Sequence, residues 1–314
     1  MNAPLSSVSE LTPEQTYEQV SRVTHEVAGR LAQRLRQETQ GEVGFTAGDR
    51  ARYATDASIY QVMPVGVFVP RTAEDVGVAL DICRDLEVPI VPRGGGTSQC
   101  GQTVGVGLVI DHSKHVRRLL DVDAEQATAV VEPGLVLDHL NAELKRHRLW
   151  FPVDVSTSAQ ATLGGMAGNN SCGSRSIAYG NMVHNVLGAQ AWLSDGSLID
   201  WGPHALSMGR AREIGDFLRQ LATRLAPDIE AHVPKVLRRV AGYNLDIFHN
   251  QNPRPYTDDG SVNLAHLLIG SEGTLALTRQ LKLKLSPQPG TKVLGVVNFP
   301  SFHQAMDAAQ HIVR

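Results

Sequence analysis

The stretch VPRGGGTSQCGQT (91–103) differs at one position from the phosphate-binding loop of P-loop ATPases. Gly96, Gly101 and Thr103 fit the pattern G-x-x-x-x-G-K-[ST], but Gln102 stands where that pattern has its lysine. Such a loop must also open a helix, whereas the residues that follow it, VGVGLVIDHS (104–113), are typical of a strand. The sequence therefore argues against an ATPase, and this glycine loop needs a different explanation.

The composition of the loop is compatible with anion binding. Three consecutive glycines, 94–96, allow the backbone to approach a ligand and to turn its N–H groups toward it. Thr97 and Ser98 add hydroxyl groups, and Arg93 adds a positive charge. The same residues also fit a tight turn between two strands, so the loop alone favours neither interpretation.

The residues before the loop predict a strand–helix–strand unit. GVFVP (66–70) and VPIVP (88–92) are short apolar runs, and Thr72 is a typical N-cap for a helix between them. A short helical connection of this kind predicts that the two strands pair in parallel. The glycine loop then leaves the second strand.

A second segment, FPVDVSTSAQATLGGMAGNNSCGSRSIAYGN (151–181), is rich in glycine and asparagine and has almost no periodic apolar pattern. Long stretches without regular structure inside a compact domain are usually functional or disordered, and dispersed apolar residues with low charge disfavour disorder here. We therefore interpret TLGGMAGNNSCG (162–173) as a second backbone-rich binding segment. Further along, Ser194-Asp195-Gly196 predicts a hairpin within 186–201, and 267–287 predicts a turn followed by a half-buried strand.

Charge and composition argue against several classes of partner. The net charge of −3 gives no reason to expect nucleic acid or an anionic membrane. The cysteines form no C-x-x-C pair and the histidines show no paired spacing, so no metal site is predicted. The N-terminus lacks the pattern of a secretion signal, and no apolar run reaches about 18 residues, which predicts a cytoplasmic protein.

Several motifs, in order along the chain, resemble the FAD-binding domain of the PCMH type, also called vanillyl-alcohol-oxidase-like. PRGGGT (92–97) is similar to the first pyrophosphate loop of that family, and ATLGG (161–165) with its flanking residues is similar to its second FAD segment. RRVAGYNLD (238–246) and LLIGSEGTL (267–275) are similar to the segments that complete the domain. The resemblance implies that FAD is bound by Arg93, Gly94, Gly95, Gly96, Thr97, Ser98, Gly101, Pro152, Asp154, Thr162, Gly164, Gly165, Asn169, Asn170, Gly173, Tyr179, Gly180, Glu272 and Gly273.

The resemblance also implies the fold class and the division of the chain. The expected fold is α+β, with two α/β subdomains and FAD between them. An N-terminal helical segment would cover 1–48, and the PCMH-type domain would cover 49–288, with subdomains at about 49–120 and 121–288. Residues 289–314 would begin a C-terminal substrate domain that is incomplete here.

Within the family, these motifs point to the branch of D-lactate, glycolate and D-2-hydroxyglutarate dehydrogenases. The implied reaction is oxidation of a D-2-hydroxy acid by hydride transfer to FAD, followed by passage of electrons to an acceptor. The substrate-binding and proton-accepting groups of this family lie mainly in the C-terminal domain, so no catalytic residue is named. His184, His204, His249 and His303 are interpreted as surface or packing residues, and this chain is expected to be a fragment that is inactive alone.

Some members of the family attach FAD through a histidine just after the glycines. Thr97 and Ser98 occupy that stretch here, so non-covalent FAD is predicted, while Cys100 and Cys172 leave a thioether link open. Two other functions also stay open. One is an FAD-binding module that passes electrons or needs a partner chain for substrate binding. The other is a sugar-nucleotide reductase with the same FAD fold, although RRVAGYNLD (238–246) argues against it.

Overall fold

The structure is a computed structural model that describes residues 25–236, 238–240, 242–248, 262–291 and 293–312. The first part of the predicted N-terminal helical segment, 1–24, and His249 lie outside these residues. The chain mixes helices with strands, and the strands form two separate sheets and one small two-stranded ladder. The mixed α+β class that the sequence predicted is confirmed.

The first sheet contains β1 (Glu42–Gly44), β2 (Gly66–Val69), β3 (Ile90–Arg93) and β4 (Leu108–Asp111). Their order is β1-β2-β4-β3, and β4 is parallel to both of its neighbours, whereas β1 is antiparallel to β2. Helices α1 (His25–Glu38), α2 (Ala47–Arg52) and α3 (Ala73–Asp85) accompany this sheet. The strand β1 lies before residue 49, the predicted start of the FAD-binding domain, and yet is paired within the sheet.

Helix α3 begins where the sequence predicted it. The Thr72 hydroxyl accepts a hydrogen bond from the Asp75 amide, and the Asp75 carboxylate accepts one from the Thr72 amide, which together form a capping box. The prediction that strands 66–70 and 88–92 pair directly is wrong, although their parallel direction is right. The fully buried strand β4 lies between them, since the side chains of Leu108, Val109 and Ile110 are covered on both faces of the sheet, whereas the edge strand β3 is only half-buried.

The second sheet is antiparallel and contains β5 (Leu119–Asp123), β6 (Thr128–Val131), β8 (Val186–Trp192), β9 (Leu198–Trp201) and β10 (Leu277–Lys284). Their order is β5-β6-β10-β8-β9. The predicted hairpin is confirmed as β8 and β9, with Gly196 in the turn at φ +86°. The half-buried strand is confirmed as β10, in which Leu281 and Leu283 are buried and Lys282 and Lys284 are exposed.

The remaining elements pack around this second sheet or follow it. A small ladder joins β7 (Leu149–Trp150) to β11 (Ser286–Pro287). Short 3₁₀ turns occur at Lys145–His147, His204–Leu206 and Leu245–Phe248. The helices are α4 (Leu137–Leu144), α5 (Leu163–Asn169), α6 (Ser176–Tyr179), α7 (Met182–Asn185), α8 (Gly209–Arg224), α9 (Ala226–His232), α10 (Ala265–Leu268) and α11 (Phe302–Ile312).

The interpretation of 151–181 as a segment without regular structure is wrong. The segment contains α5 and α6, and the Thr162 side chain caps α5 by accepting from the Gly165 amide. These helices have 7 and 4 residues. Helices this short hold too few residues to display an apolar period, which is why the sequence shows none.

The apolar run VLGVVNF (293–299) predicts a strand, with a helix after it, but residues 293–299 form no strand. Val293, Leu294 and Val296 are exposed there and pair with no sheet. The helix is present as α11 and lies largely exposed. Within the described parts of the chain, no helix combines the length and the apolar character that crossing a membrane would require.

Candidate functional site

A cavity of about 380 Å³ lies between the glycine loop and the second sheet. One wall is the glycine loop at 92–103, the opposite wall is formed by 155–172 with α5, and the floor includes residues of the turn at 268–278 and Leu281 of β10. The glycine loop leaves the carboxyl end of β3, where ligands of parallel sheets usually bind. The volume lies within the range of about 300–1,000 Å³ that is common for small-molecule sites.

The glycine loop presents unpaired backbone amides. Within the described part of the chain, none of the N–H groups of residues 94–99 donates a hydrogen bond. Gly96 has φ +63°, a conformation that turns the backbone and that side-chain-bearing residues rarely adopt. The loop can therefore offer several donors to one acceptor-rich ligand.

Arg93 has a different role from the one its charge suggested. Its guanidinium donates to the backbone carbonyls of Tyr53 (3.3 Å), Thr103 (3.3 Å) and Thr55 (2.8 Å). The same group lies 5.4 Å from the centre of the Tyr53 ring. Arg93 thus ties the loop to the chain before it, and contact with a cofactor remains a prediction for this residue.

The second segment contacts the glycine loop directly, but most of its backbone amides already donate to acceptors within the protein. The Gly164 amide donates to Pro133 O (2.7 Å), and the Gly165 amide donates to Thr162 Oγ1 (3.3 Å). A Cβ at Gly164 would lie 2.6 Å from Pro133 Cβ, whereas a Cβ at Gly165 would meet only Thr162 Oγ1, at 3.2 Å. Gly165 is therefore the more open of the two glycines that line the cavity.

Glu272, in the turn on the floor of the cavity, forms hydrogen bonds with both cavity walls. Its Oε1 accepts from Gln102 Nε2 (3.2 Å) and from Asn169 Nδ2 (3.2 Å), so the turn holds both the glycine loop and α5. Gln102 also accepts a hydrogen bond from the Ser98 hydroxyl. Glu272 adopts φ +54°, which is uncommon for a residue with a side chain and costs backbone energy.

Two residues that line the cavity each have a buried polar atom without a partner among the described residues. His112 Nε2 and Asn170 Nδ2 form no hydrogen bond among the described residues, and both residues line the cavity. Burial lowers the pKa of His112, so its ring is neutral at neutral pH. A ligand with hydrogen-bonding groups would satisfy atoms that are costly to leave unpaired.

Most of the residues that the resemblance assigned to FAD binding line this cavity. They are Arg93, Gly94, Gly95, Gly96, Thr97, Ser98, Thr162, Gly164, Gly165, Asn169, Asn170, Glu272 and Gly273. Gly101, Pro152, Asp154, Gly173, Tyr179 and Gly180 are not among the lining residues.

The residues outside the cavity have other contacts. The Asp154 carboxylate accepts from Ser174 Oγ (2.8 Å) and from the Arg175 amide (3.0 Å), which orders the chain after α5. Tyr179 packs edge-on against Trp150, with ring centres 5.4 Å apart. These contacts shape the second segment from behind the cavity wall.

The cavity has further lining residues that were not predicted as FAD contacts. Gln99 and Gly168 are sequence neighbours of predicted residues, so that proximity could have found them, and Cys100 and Cys172 were considered only for a covalent link. His112 and Pro133 had no motif, but His112 directly follows β4, whose carboxyl end lies beside the glycine loop. The others are Pro92, Gln102, Thr103, Val155, Ser156, Thr157, Ala161, Met166, Ala167, Ser171, Val240, Leu268, Ile269, Ser271, Ala276, Leu277, Thr278 and Leu281.

Comparisons with known proteins agree with this geometry. The family model described as "FAD binding domain" matches residues 64–202, which include the glycine loop and α5. The chain is 34% identical over 289 residues to a D-2-hydroxyglutarate dehydrogenase of Pantoea ananatis, covering 87% of this chain and 28% of the relative. It is 30% identical over 267 residues to a glycolate oxidase subunit of Bacillus subtilis, covering 84% of this chain and 46% of that subunit.

A solved structure shares the fold. An alkyldihydroxyacetonephosphate synthase superposes with a TM-score of 0.64 at 18% identity, over 90% of this chain and 45% of that protein. Identity this low supports the architecture alone. The chain therefore spans between about a quarter and a half of the length of the proteins it resembles.

We expect Glu272→Ala to lower the free energy of unfolding by about 1–2 kcal/mol, because two side-chain hydrogen bonds are lost. Glu272→Gly should lose about 1 kcal/mol less, because glycine adopts positive φ without the strain of a Cβ. Urea unfolding of the ligand-free chain measures both. Glu143→Ala, at an exposed position of α4, serves as the control and should change stability little. Equal losses for the alanine and glycine variants would show that the backbone at 272 is not strained.

Proposed function

Because this chain belongs to the PCMH-type FAD-binding flavoproteins, we propose that it is the flavin-binding part of a dehydrogenase that oxidises a D-2-hydroxy acid. The glycine loop carries the proposal, since its backbone amides are unpaired and its residues line a cavity of suitable size. The names of the relatives, D-2-hydroxyglutarate dehydrogenase and glycolate oxidase subunit, support the substrate class. D-2-hydroxyglutarate, glycolate and D-lactate are the candidate substrates.

The amides of residues 95–98 and the hydroxyls of Thr97 and Ser98 would hold the pyrophosphate of FAD. Amide donors bind phosphate oxygens without a lysine or a magnesium ion, and Arg93 is already engaged by carbonyl groups. Leu268, Ile269, Leu277 and Leu281 provide apolar surface on the floor of the cavity for an aromatic ring system. The unpaired atoms of His112 and Asn170 fit a ligand rich in polar groups.

When bound, FAD would accept the hydride that leaves the alcohol carbon of the substrate. The role of this chain's residues is to orient the cofactor, to shield it from water and to fix the width of the cavity. The hydroxyl proton of the substrate needs a base, and the substrate carboxylate needs a cation. Among the described lining residues, Arg93 is bonded to carbonyls and His112 is buried, so we place these two functions outside the described part of the chain.

A second arrangement is favoured by the name of one relative. The Bacillus subtilis protein is a subunit of its oxidase. In this arrangement the chain would bind FAD, and a partner chain would bind the substrate. Both arrangements need an electron acceptor.

The domain boundaries at residues 48 and 288, the two subdomains and a cytoplasmic location stay predictions.

We expect the purified chain to bind FAD non-covalently in about a one-to-one ratio. Thr97 and Ser98 cannot form the covalent bond that a histidine at this place would form. Acid precipitation should therefore leave the yellow flavin in the supernatant, where its absorbance can be measured. Flavin that stays in the pellet would contradict this and would point to Cys100 or Cys172, which both line the cavity.

Gly165→Val should abolish FAD binding and leave the fold intact. A Cβ at this position has only one close neighbour, Thr162 Oγ1, so the larger side chain would enter the cavity. FAD titration by flavin fluorescence measures the loss, and circular dichroism checks the fold. Gly29→Val, at an open position of α1, is the matched control and should bind FAD normally. Normal binding by Gly165→Val would show that FAD does not occupy this part of the cavity.

Anaerobic bleaching of the flavin tests the proposed reaction. The FAD-loaded chain should bleach little with D-2-hydroxyglutarate, D-lactate or glycolate, because hydride transfer needs the substrate carbon held about 3–3.5 Å from the flavin. A chain extended through the downstream reading frame should bleach with a D-2-hydroxy acid and not with its L-enantiomer. Bleaching of the 314-residue chain itself would place the base and the cation within it. Bleaching by NADPH alone would instead support a reductase.

A further inference from the structure

His112 occupies a fixed position at the edge of the first sheet. It directly follows β4, the central strand, and its amide donates to Arg93 O at 3.1 Å. Arg93 ends β3 and begins the glycine loop, so His112 lies beside the start of that loop. On the other side, a Cβ at Gly134 would lie 2.0 Å from His112 O, which shows how closely the chain packs there. The backbone of His112 is therefore held from both sides.

The His112 side chain is buried at 5% exposure, lines the cavity, and has no partner for Nε2 among the described residues. A buried polar atom without a hydrogen bond destabilises the folded chain. Packing alone does not explain a histidine at this position, because leucine would fill a similar volume without that cost. The position is instead suited to a ligand that supplies the missing hydrogen bond.

We propose that His112 is a positioning residue whose Nε2 accepts a hydrogen bond from a hydroxyl group of bound FAD. The inference rests on the proposed function, since it assumes that FAD occupies the cavity. In FAD, the pyrophosphate is flanked on one side by the ribityl chain and on the other by the ribose, and both carry hydroxyl groups. The unpaired amides of the glycine loop lie next to His112, so a hydroxyl beside the pyrophosphate is the expected neighbour.

The protonation of the ring agrees with an acceptor at Nε2. Burial lowers the pKa of His112, although Asp111, Glu132 and the carbonyls of Arg93 and Ile110 favour protonation. Because Nε2 has no partner in the described chain, we place these carbonyls on the Nδ1 side of the ring, where they favour hydrogen on Nδ1. The lone pair of Nε2 is then the ring's unpaired acceptor. Hydroxyl groups can donate to it, whereas phosphate oxygens cannot.

Three variants test the proposal. His112→Leu should raise the Kd for FAD about tenfold, the loss expected for one buried hydrogen bond. The same variant should leave the ligand-free chain as stable as the wild type or more stable, because it removes an unpaired polar atom. His112→Gln should keep FAD affinity within about threefold of the wild type, because its amide oxygen reaches a position near Nε2. Flavin fluorescence titration gives the affinities, and urea unfolding gives the stabilities.

His204→Leu is the matched control. His204 is also buried, but its Nε2 contacts Asp216 Oδ1 (3.0 Å), its Nδ1 contacts Ser207 Oγ (3.2 Å), and it does not line the cavity. This change should lower the stability of the ligand-free chain and leave the FAD affinity unchanged. The two leucine variants are thus expected to show opposite patterns. A purely structural role for His112 would make them alike.

Two fragments of FAD identify the hydroxyl. Weaker binding of FMN by His112→Leu assigns the contact to the ribityl chain, and weaker binding of ADP assigns it to the ribose. Equal FAD affinities of the wild type and His112→Leu would overturn the inference alone, as would a large loss of ligand-free stability in that variant. A wild-type chain that binds no FAD would overturn the proposed function and this inference with it.

Discussion

The candidate site depends on a close contact between the glycine loop and residues 160–162. This contact leaves no room for a side chain at Gly94 or Gly95. A Cβ at Gly94 would lie 2.1 Å from Thr162 Oγ1, and a Cβ at Gly95 would lie 2.3 Å from Gln160 O. The glycine loop of the first sheet therefore rests directly on the segment that leads into α5. This contact sets how close the two cavity walls lie, and the amides of residues 94–99 form no hydrogen bond with acceptors of the described chain. The architecture around it serves to hold those two backbones together.

The anion binding that we propose for this loop would depend on backbone dipoles more than on a free charge. The cation nearest in sequence, Arg93, donates to the carbonyls of Tyr53, Thr55 and Thr103. These bonds hold the loop to Tyr53, Thr55 and Thr103, so Arg93 would act on the proposed ligand through the backbone. An arginine beside a glycine loop thus does not by itself indicate a phosphate contact, because carbonyl groups left by an irregular loop need donors as well.

The sequence was sufficient wherever the determining interactions are local. The Thr72 cap of α3, the Gly196 turn and the alternation in β10 are signals that span only a few residues, and all three are present in the structure. The central place of β4 was not predictable in this way, because strand order depends on packing between distant segments. The short helices of 151–181 lack an apolar period, and nothing local marks His112 as lining a cavity. The missed features are those that tertiary structure alone defines.

Gln102 shows why the lysine of the ATPase pattern is absent. Its amide nitrogen donates to Glu272, and its amide oxygen accepts from the Ser98 hydroxyl, so the position requires a donor and an acceptor on one side chain. Lysine can only donate, and it would leave the Ser98 hydroxyl without this partner. Gln102 also carries no charge. The Glu272 carboxylate therefore accepts hydrogen bonds from two neutral amides, those of Gln102 and Asn169, and forms no ion pair with residue 102. Position 102 therefore serves to close the loop onto the turn at Glu272, whereas the lysine of an ATPase loop serves to neutralise phosphate.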